Sequence, residues 1–245
     1  TGTMRPVRAS VVRVAVLGAL LVGCDSSDGV AEPAATVDLS AGIDLDGAPG
    51  ELGTHGDVAR DPDEIDAVVM IGDSITKGSL PALDERFGQL GMSSVTIEAE
   101  NGKRMAVSST QNPSGSSLAE FVAELWDDDH SDQLWIVALG TNDIGQYDSP
   151  DEIAAAVNEV LDRVPDEAPL VWVDTYFRDR PEQQALVNSI IRDRVERRGN
   201  SVIAPWSAFA PEDGVLTSDG VHPTSDGSEV FAFVVTDTAR AFLGR

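Results

Sequence analysis

The chain has 245 residues, 42% of them hydrophobic, with 42 Asp+Glu against 17 Lys+Arg, a formal charge of −25 and one cysteine. That apolar content is enough for a core and excludes wholesale disorder. One cysteine excludes an intramolecular disulfide, three histidines exclude a His-rich metal site, and the acidic excess excludes nucleic acid, whose affinity comes from Lys and Arg on phosphates.

The first element reads as an address. Met4 opens a basic segment carrying Arg5, Arg8 and Arg13, and an apolar stretch over 14–22 runs into Leu21-Val22-Gly23-Cys24. A basic start, a short apolar middle and small residues at the cut predict a secretory signal over 1–23. It is shorter than the about 20 apolar residues of a membrane span. Residues 21–24 resemble a bacterial lipobox, which implies that Cys24 is acylated and becomes the mature N-terminus. The alternative is an ordinary signal peptide with a chance cysteine; the placing of the only cysteine favours lipidation. The expected location is therefore the outer face of the bacterial cytoplasmic membrane or the cell envelope, with the membrane as partner through Cys24.

Residues 24–64 are rich in Gly, Ala, Asp and Pro and carry no sustained period, so they read as a disordered acidic tether. His55 lies in it without companion ligands.

From residue 65 to 245 the pattern alternates. A short apolar run over 66–71, ending in Gly72, reads as a buried parallel strand. A helix over 80–90, a strand over 95–97 and a helix over 118–126 follow. The strongest strand is 134–139, then come a helix over 150–164, a strand over 170–173 and a helix over 181–197. A strand over 201–203 and a helix over 226–243 complete the chain. Five strands separated by helices predict one domain, a three-layer α/β/α sandwich around a parallel sheet.

In such a sheet ligands bind beyond the carboxyl ends of the strands. Gly72-Asp73-Ser74-Ile75-Thr76 follows the first strand, Gly140-Thr141-Asn142-Asp143 follows the third, and Asp219-Gly220-Val221-His222-Pro223 precedes the last helix. Ser74 sits where a strand turns into a helix, which exposes its hydroxyl and leaves its N–H able to bind an oxyanion. A serine hydroxyl needs a base. His55 is in the tether and His130 lies in the acidic run 127–130, a solvated helix end, which leaves His222. Asp219, three residues earlier across a glycine, is placed to hold its tautomer.

The segments 72–76, 140–143 and 219–223 resemble the first, third and fifth blocks of the SGNH (GDSL-type) hydrolase superfamily, over the whole predicted domain. The resemblance implies a flavodoxin-like fold with no cofactor or metal. It implies Ser74 as nucleophile, His222 and Asp219 completing the triad, and Asn142 as a side-chain oxyanion donor. The second-block glycine falls on Gly102, in Glu100-Asn101-Gly102-Lys103-Arg104-Met105, a block that departs from the commoner Gly-X-Ser-Gly form. Its context is similar to bacterial cell-envelope members, including extracytoplasmic parts of glycan O-acetyltransferases.

Other residues read more plainly. Asp73 and Asp143 hold loop geometry, Trp135 and Trp172 belong to the core, and Arg192, Arg194, Arg197 and Arg198 form a solvated basic helix end. Tyr176, Phe177 and Arg178 follow a strand's carboxyl end and are candidates to line the substrate cleft. The only two lysines, Lys77 and Lys103, lie within three residues of Ser74 or Gly102, and Arg104 follows. On so acidic a chain they are expected either to hold an anionic group of the substrate or to pair with neighbours such as Glu98 and Glu100.

The expected function is an exported, lipid-anchored monomeric serine esterase or deacylase acting on short acyl esters, with an anionic envelope glycan or lipid as carrier. O-acyl transfer to envelope glycans is a variant of the same chemistry. A non-catalytic surface-binding lipoprotein is the reading of different class.

Overall fold

The computed structural model describes residues 64–125 and 132–245. The leader, Cys24, the tether with His55, and His130 lie outside these residues. Five strands form the sheet: β1 (Ala67–Gly72), β2 (Ser94–Ala99), β3 (Gln133–Ala138), β4 (Leu170–Val173) and β5 (Ser201–Ala204). All neighbours pair in parallel, in the order β2-β1-β3-β4-β5. β1 and β3 are buried along their whole length because helices cover both faces, which is why their sequences show apolar runs rather than alternation. β2 has one strand neighbour, is only half-buried, and alternates polar with apolar residues.

Between the strands run α1 (Ser74–Gly78), α2 (Leu80–Gln89), α3 (Gly115–Glu124), α4 (Pro150–Leu161), α5 (Pro181–Arg198), α6 (Trp206–Phe209) and α7 (Ser225–Phe242). α2 and α6 pack against α7, while α3, α4 and α5 pack in sequence. These are the two outer layers that right-handed crossovers from a central β1 produce. α7 buries Val230, Phe231, Val234 and Val235, and Phe231 meets Trp206 edge to face at 5.2 Å. Trp135 and Trp172 are core residues, as expected.

Three elements differ from the expectation, the first being α1, a short helix between the expected first strand and the helix over 80–90. α3 begins at Gly115, because the Ser114 hydroxyl caps it by accepting from Ser117 N–H, although Gly115-Ser116-Ser117 reads locally as loop. α6 is a single turn after Pro205, too short to show a period.

The order in which successive strands are laid across the sheet reverses at β1, which lies between the second and third strands. The ends of β1 and β3 are therefore neighbours, with Gly72 in register with Ala138. Ligand crevices open at such a switch point, and here the turns carrying Ser74 and Asn142 flank it.

The start of α7 is pressed onto the segment that precedes it. Leu216 and Pro223 form an antiparallel bridge, Thr224 N–H donates to Val215 O, and a Cβ on Gly227 would lie 1.8 Å from Val215 O. Gly227→Ala should cost about 1–3 kcal/mol, since the obstacle is backbone, and lower the midpoint of thermal unfolding followed by circular dichroism. Gly88→Ala, inside α2 with open space around it, should raise the same midpoint through helix propensity worth about 1 kcal/mol or less. An unchanged midpoint in the Gly227 variant would mean that the α7 seat yields.

Candidate active site

β1 ends at a reversal that only a small residue permits. A Cβ on Gly72 would lie 2.1 Å from the Thr76 hydroxyl oxygen. Asp73 caps α1, its Oδ1 accepting from Ile75 N–H at 2.9 Å. Ser74 is the first residue of that helix, where an N–H has no carbonyl a turn earlier to bond.

Ser74 Oγ lies 3.0 Å from His222 Nε2, and His222 Nδ1 lies 2.7 Å from Asp219 Oδ2. An ionised carboxylate only accepts, so Nδ1 carries the hydrogen and Nε2 faces the serine as an acceptor. Asp219 also builds the loop that presents His222: its Oδ1 accepts from Thr217 Oγ1–H (2.8 Å), Val221 N–H (2.9 Å) and His222 N–H (3.0 Å). The His222 N–H, followed by its ring and by Val221 and Thr217, holds the Asp219 carboxyl far below the usual carboxylate range. Gly220 takes a positive φ of 71° inside this loop, which folds Asp219 back on His222.

Asn142 lies in the single turn Thr141–Asp143 after β3. Its Nδ2 donates to Asp73 Oδ2 and to Lys103 O, each at 3.1 Å. The second bond ties the Gly102 loop to the crevice. Gly102 is exposed with φ 70°, and its N–H has no acceptor among the described residues. Thus Ser74, Asn142 and Gly102 are brought to one edge.

Three cations do not behave as an anion site would. Lys103 is 1% exposed, its Nζ bonded at 2.9 Å to Asn112 Oδ1 and to Pro113 O. Arg104 Nε meets the buried Asp143 at 3.2 Å, with its guanidinium over the Tyr147 ring. Lys77 pairs with Glu100 at 2.9 Å. Lys103 and Arg104 therefore support the Gly102 loop, which corrects their reading as substrate ligands: a lysine nine residues before Asn112 finds internal acceptors that spacing does not reveal. Tyr176 is half-buried against the core and makes no hydrogen bond to Ser74, His222 or Asp219 among the described residues.

Asp143 holds loop geometry as expected, accepting from Met105 N–H at 3.0 Å, Tyr147 O–H at 2.9 Å and Arg104. The Asp73–Asn142 bond joins residues 69 apart in sequence and had no local signal. Arg178 was a cleft candidate, but its contact with Gly220 was equally invisible: its N–H donates to Gly220 O at 3.1 Å and its side chain covers that glycine.

A Ser–His–Asp chain on the carboxyl edge of a five-stranded parallel sheet, with a side-chain amide and free backbone N–H groups nearby, defines a three-layer α/β protein built for acyl chemistry at a serine. Residues 70–230 match the model of the GDSL-like lipase/acylhydrolase family, and the chain belongs to it. No curated sequence matches the chain. Among solved structures it is similar to a carbohydrate esterase family 3 protein from Talaromyces cellulolyticus (19% identity, TM-score 0.56, covering 73% of this chain and 98% of that one). A carbohydrate acetylesterase family member from Sinorhizobium meliloti is comparable (16%, 0.56, 74% and 100%). So is the C-terminal catalytic domain of a peptidoglycan O-acetyltransferase from Streptococcus pneumoniae (19%, 0.50, 74% and 93%). At these identities the likeness is one of fold.

Asp73 gives the site a pH signature. Burial pushes its carboxyl up from 3.8 to about 7, against the lowering bond from Ile75 N–H and the nearby His222. In that window the unfolded chain is ionised at this residue while the folded chain keeps the proton, so stability falls as pH rises from 3.8 to 7. Asp73→Asn cannot ionise. Its thermal midpoint relative to the parent should climb across the same range; a pH-independent difference would show that Asp73 is ionised in the folded chain throughout.

Proposed function

We propose that the protein is a serine esterase that removes short acyl groups, acetyl above all, from an envelope carrier. The observation that carries this reading is the unbroken chain from Ser74 Oγ through both ring nitrogens of His222 to Asp219 Oδ2. Ser74 Oγ attacks the ester carbon while its proton passes to His222 Nε2, and Asp219 stabilises the imidazolium that forms. The carbonyl oxygen becomes an oxyanion facing Ser74 N–H, Gly102 N–H and Asn142 Nδ2. His222 returns the proton to the departing alcohol oxygen, leaving the acyl group on Ser74. Water, deprotonated by His222, then attacks the acyl-serine, and His222 returns that proton to Ser74 Oγ as the acid is released. A sugar hydroxyl taking the place of water gives transfer instead, the variant suggested by the O-acetyltransferase likeness.

Asn142 meets a constraint within this scheme. Both hydrogens of its amide already have acceptors, Asp73 Oδ2 and Lys103 O, so the oxyanion must win one of them as charge develops. Such a donor helps the transition state more than the ground state.

Ser74→Ala should abolish turnover of a small chromogenic acetate ester by the intact protein while leaving its thermal midpoint nearly unchanged. Asn142→Ala should lower kcat by about 10²–10³ with KM little altered. Retained turnover in the serine variant would remove Ser74 as the nucleophile, and no turnover by the parent would move the reading to a non-catalytic binder. A kcat unaffected by the asparagine change would remove Asn142 from the oxyanion site.

We further propose that the domain is exported and anchored through a lipidated Cys24, supported by the basic start, the apolar stretch over 14–22 and the sequence Leu21-Val22-Gly23-Cys24. Two or more acyl chains hold a protein far more firmly than one. Cys24→Ser should release the protein from the membrane fraction; persistence there would point to an uncleaved leader as the anchor.

A further inference from the structure

Among the described residues, the crevice has one cation that no hydrogen bond or ion pair engages. Lys77, Lys103, Arg104 and Arg180 surround the site, and each is engaged: with Glu100, with Asn112 and Pro113, with Asp143, and with Ile144 O and the Phe177 ring. Arg178 is exposed, and its guanidinium has no hydrogen-bond or ion-pair partner among the described residues. In a chain with 42 acidic residues against 17 basic ones, an arginine left without a carboxylate is a site where an anion from solution meets no competitor.

Its place is set by the loop that carries the base. Arg178 N–H bonds to Gly220 O, and its stem lies on the face of Gly220 where a side chain would stand: a Cβ there would be 2.7 Å from Arg178 Cβ and 3.3 Å from Cδ and Nε. Gly220 thus serves as a seat as well as a turn. Two residues span at most about 7 Å, so Arg178 Nε lies within about 12 Å of His222 Cα. That is the range of a charged group a few bonds from the scissile ester.

We propose that Arg178 is a specificity-determining residue that binds a carboxylate or phosphate on the alcohol part of the ester, so that the substrate class is an acylated anionic carrier. The inference rests on the serine-esterase reading and deepens it. The surrounding negative surface repels anions at long range, so recognition falls to this one fork of planar donors.

The test compares para-nitrophenyl acetate with its ring-carboxylated analogue, whose leaving groups differ by one carboxylate, and reads the ratio in parent against variant. The ratio of their KM values should shift against the carboxylated ester by about tenfold in Arg178→Gln, some 1.4 kcal/mol. Arg178→Lys should keep most of the preference, and about 0.5 M salt should erase the difference between parent and variant. An unchanged ratio in Arg178→Gln overturns the inference while leaving the esterase reading intact. Should the parent turn over neither ester, the esterase reading fails separately. Calorimetric titration of Ser74→Ala with the carboxylated ester then decides the matter: weaker binding when Arg178→Gln is added supports the anion site, and equal binding ends it.

Discussion

The carboxylate of Asp219 is the group on which the rest of the site depends. Four hydrogen bonds converge on its two oxygens, three on Oδ1 from within its own loop and one on Oδ2 from the His222 ring. The same charge therefore shapes the loop backbone and selects the tautomer of the base. Charge-assisted bonds of this kind are the strong ones. Asp219 and His222 themselves are exposed, so this acceptor works together with the backbone bonds Thr217 N–H to His222 O and Gly220 N–H to Thr217 O in holding the loop. Beneath it, the bridge between Leu216 and Pro223 and the seat of α7 fix the loop to the core.

The opposite side of the crevice uses burial where Asp219 uses exposure. Asp73 and Asp143 are both enclosed, and burial pushes both carboxyls upward. Asp73 touches the Asn142 amide, and Asp143 touches Met105 N–H and Arg104, so each acid stitches one motif to another. Three carboxylates within one site thus occupy different electrostatic states, set by how many donors face them and how much water remains.

What could be read in advance follows from range. Strands with continuous apolar runs, such as β1 and β3, announce themselves because both faces are covered. The single turns α1 and α6 do not, since a turn carries no period. Ser74, Asn142, Asp219 and His222 were legible because each sits in a short motif at a strand or helix end. Asp219 and His222 are three residues apart, so their pairing was open to inspection. The partners of Lys103 were not legible because its acceptors, Asn112 and Pro113, belong to a loop whose path has no local code. The Asp73–Asn142 bond and the seat of Arg178 on Gly220 join strands β1 to β3 and the loop after β4 to the hairpin before α7, and only the assembled sheet brings them together.

The two ends of the described domain meet: the Arg245 guanidinium donates to Ile65 O. That contact lies before β1, whereas Ser74 follows it, and six extended residues at about 3.3 Å each separate the two levels by roughly 20 Å. Both ends of the described domain thus lie at the pole opposite the catalytic loops. The adjacency of the two ends also makes the order of elements separable from their arrangement: joining residue 245 to residue 65 and reopening the chain at a distant surface loop would preserve every strand pairing around the site.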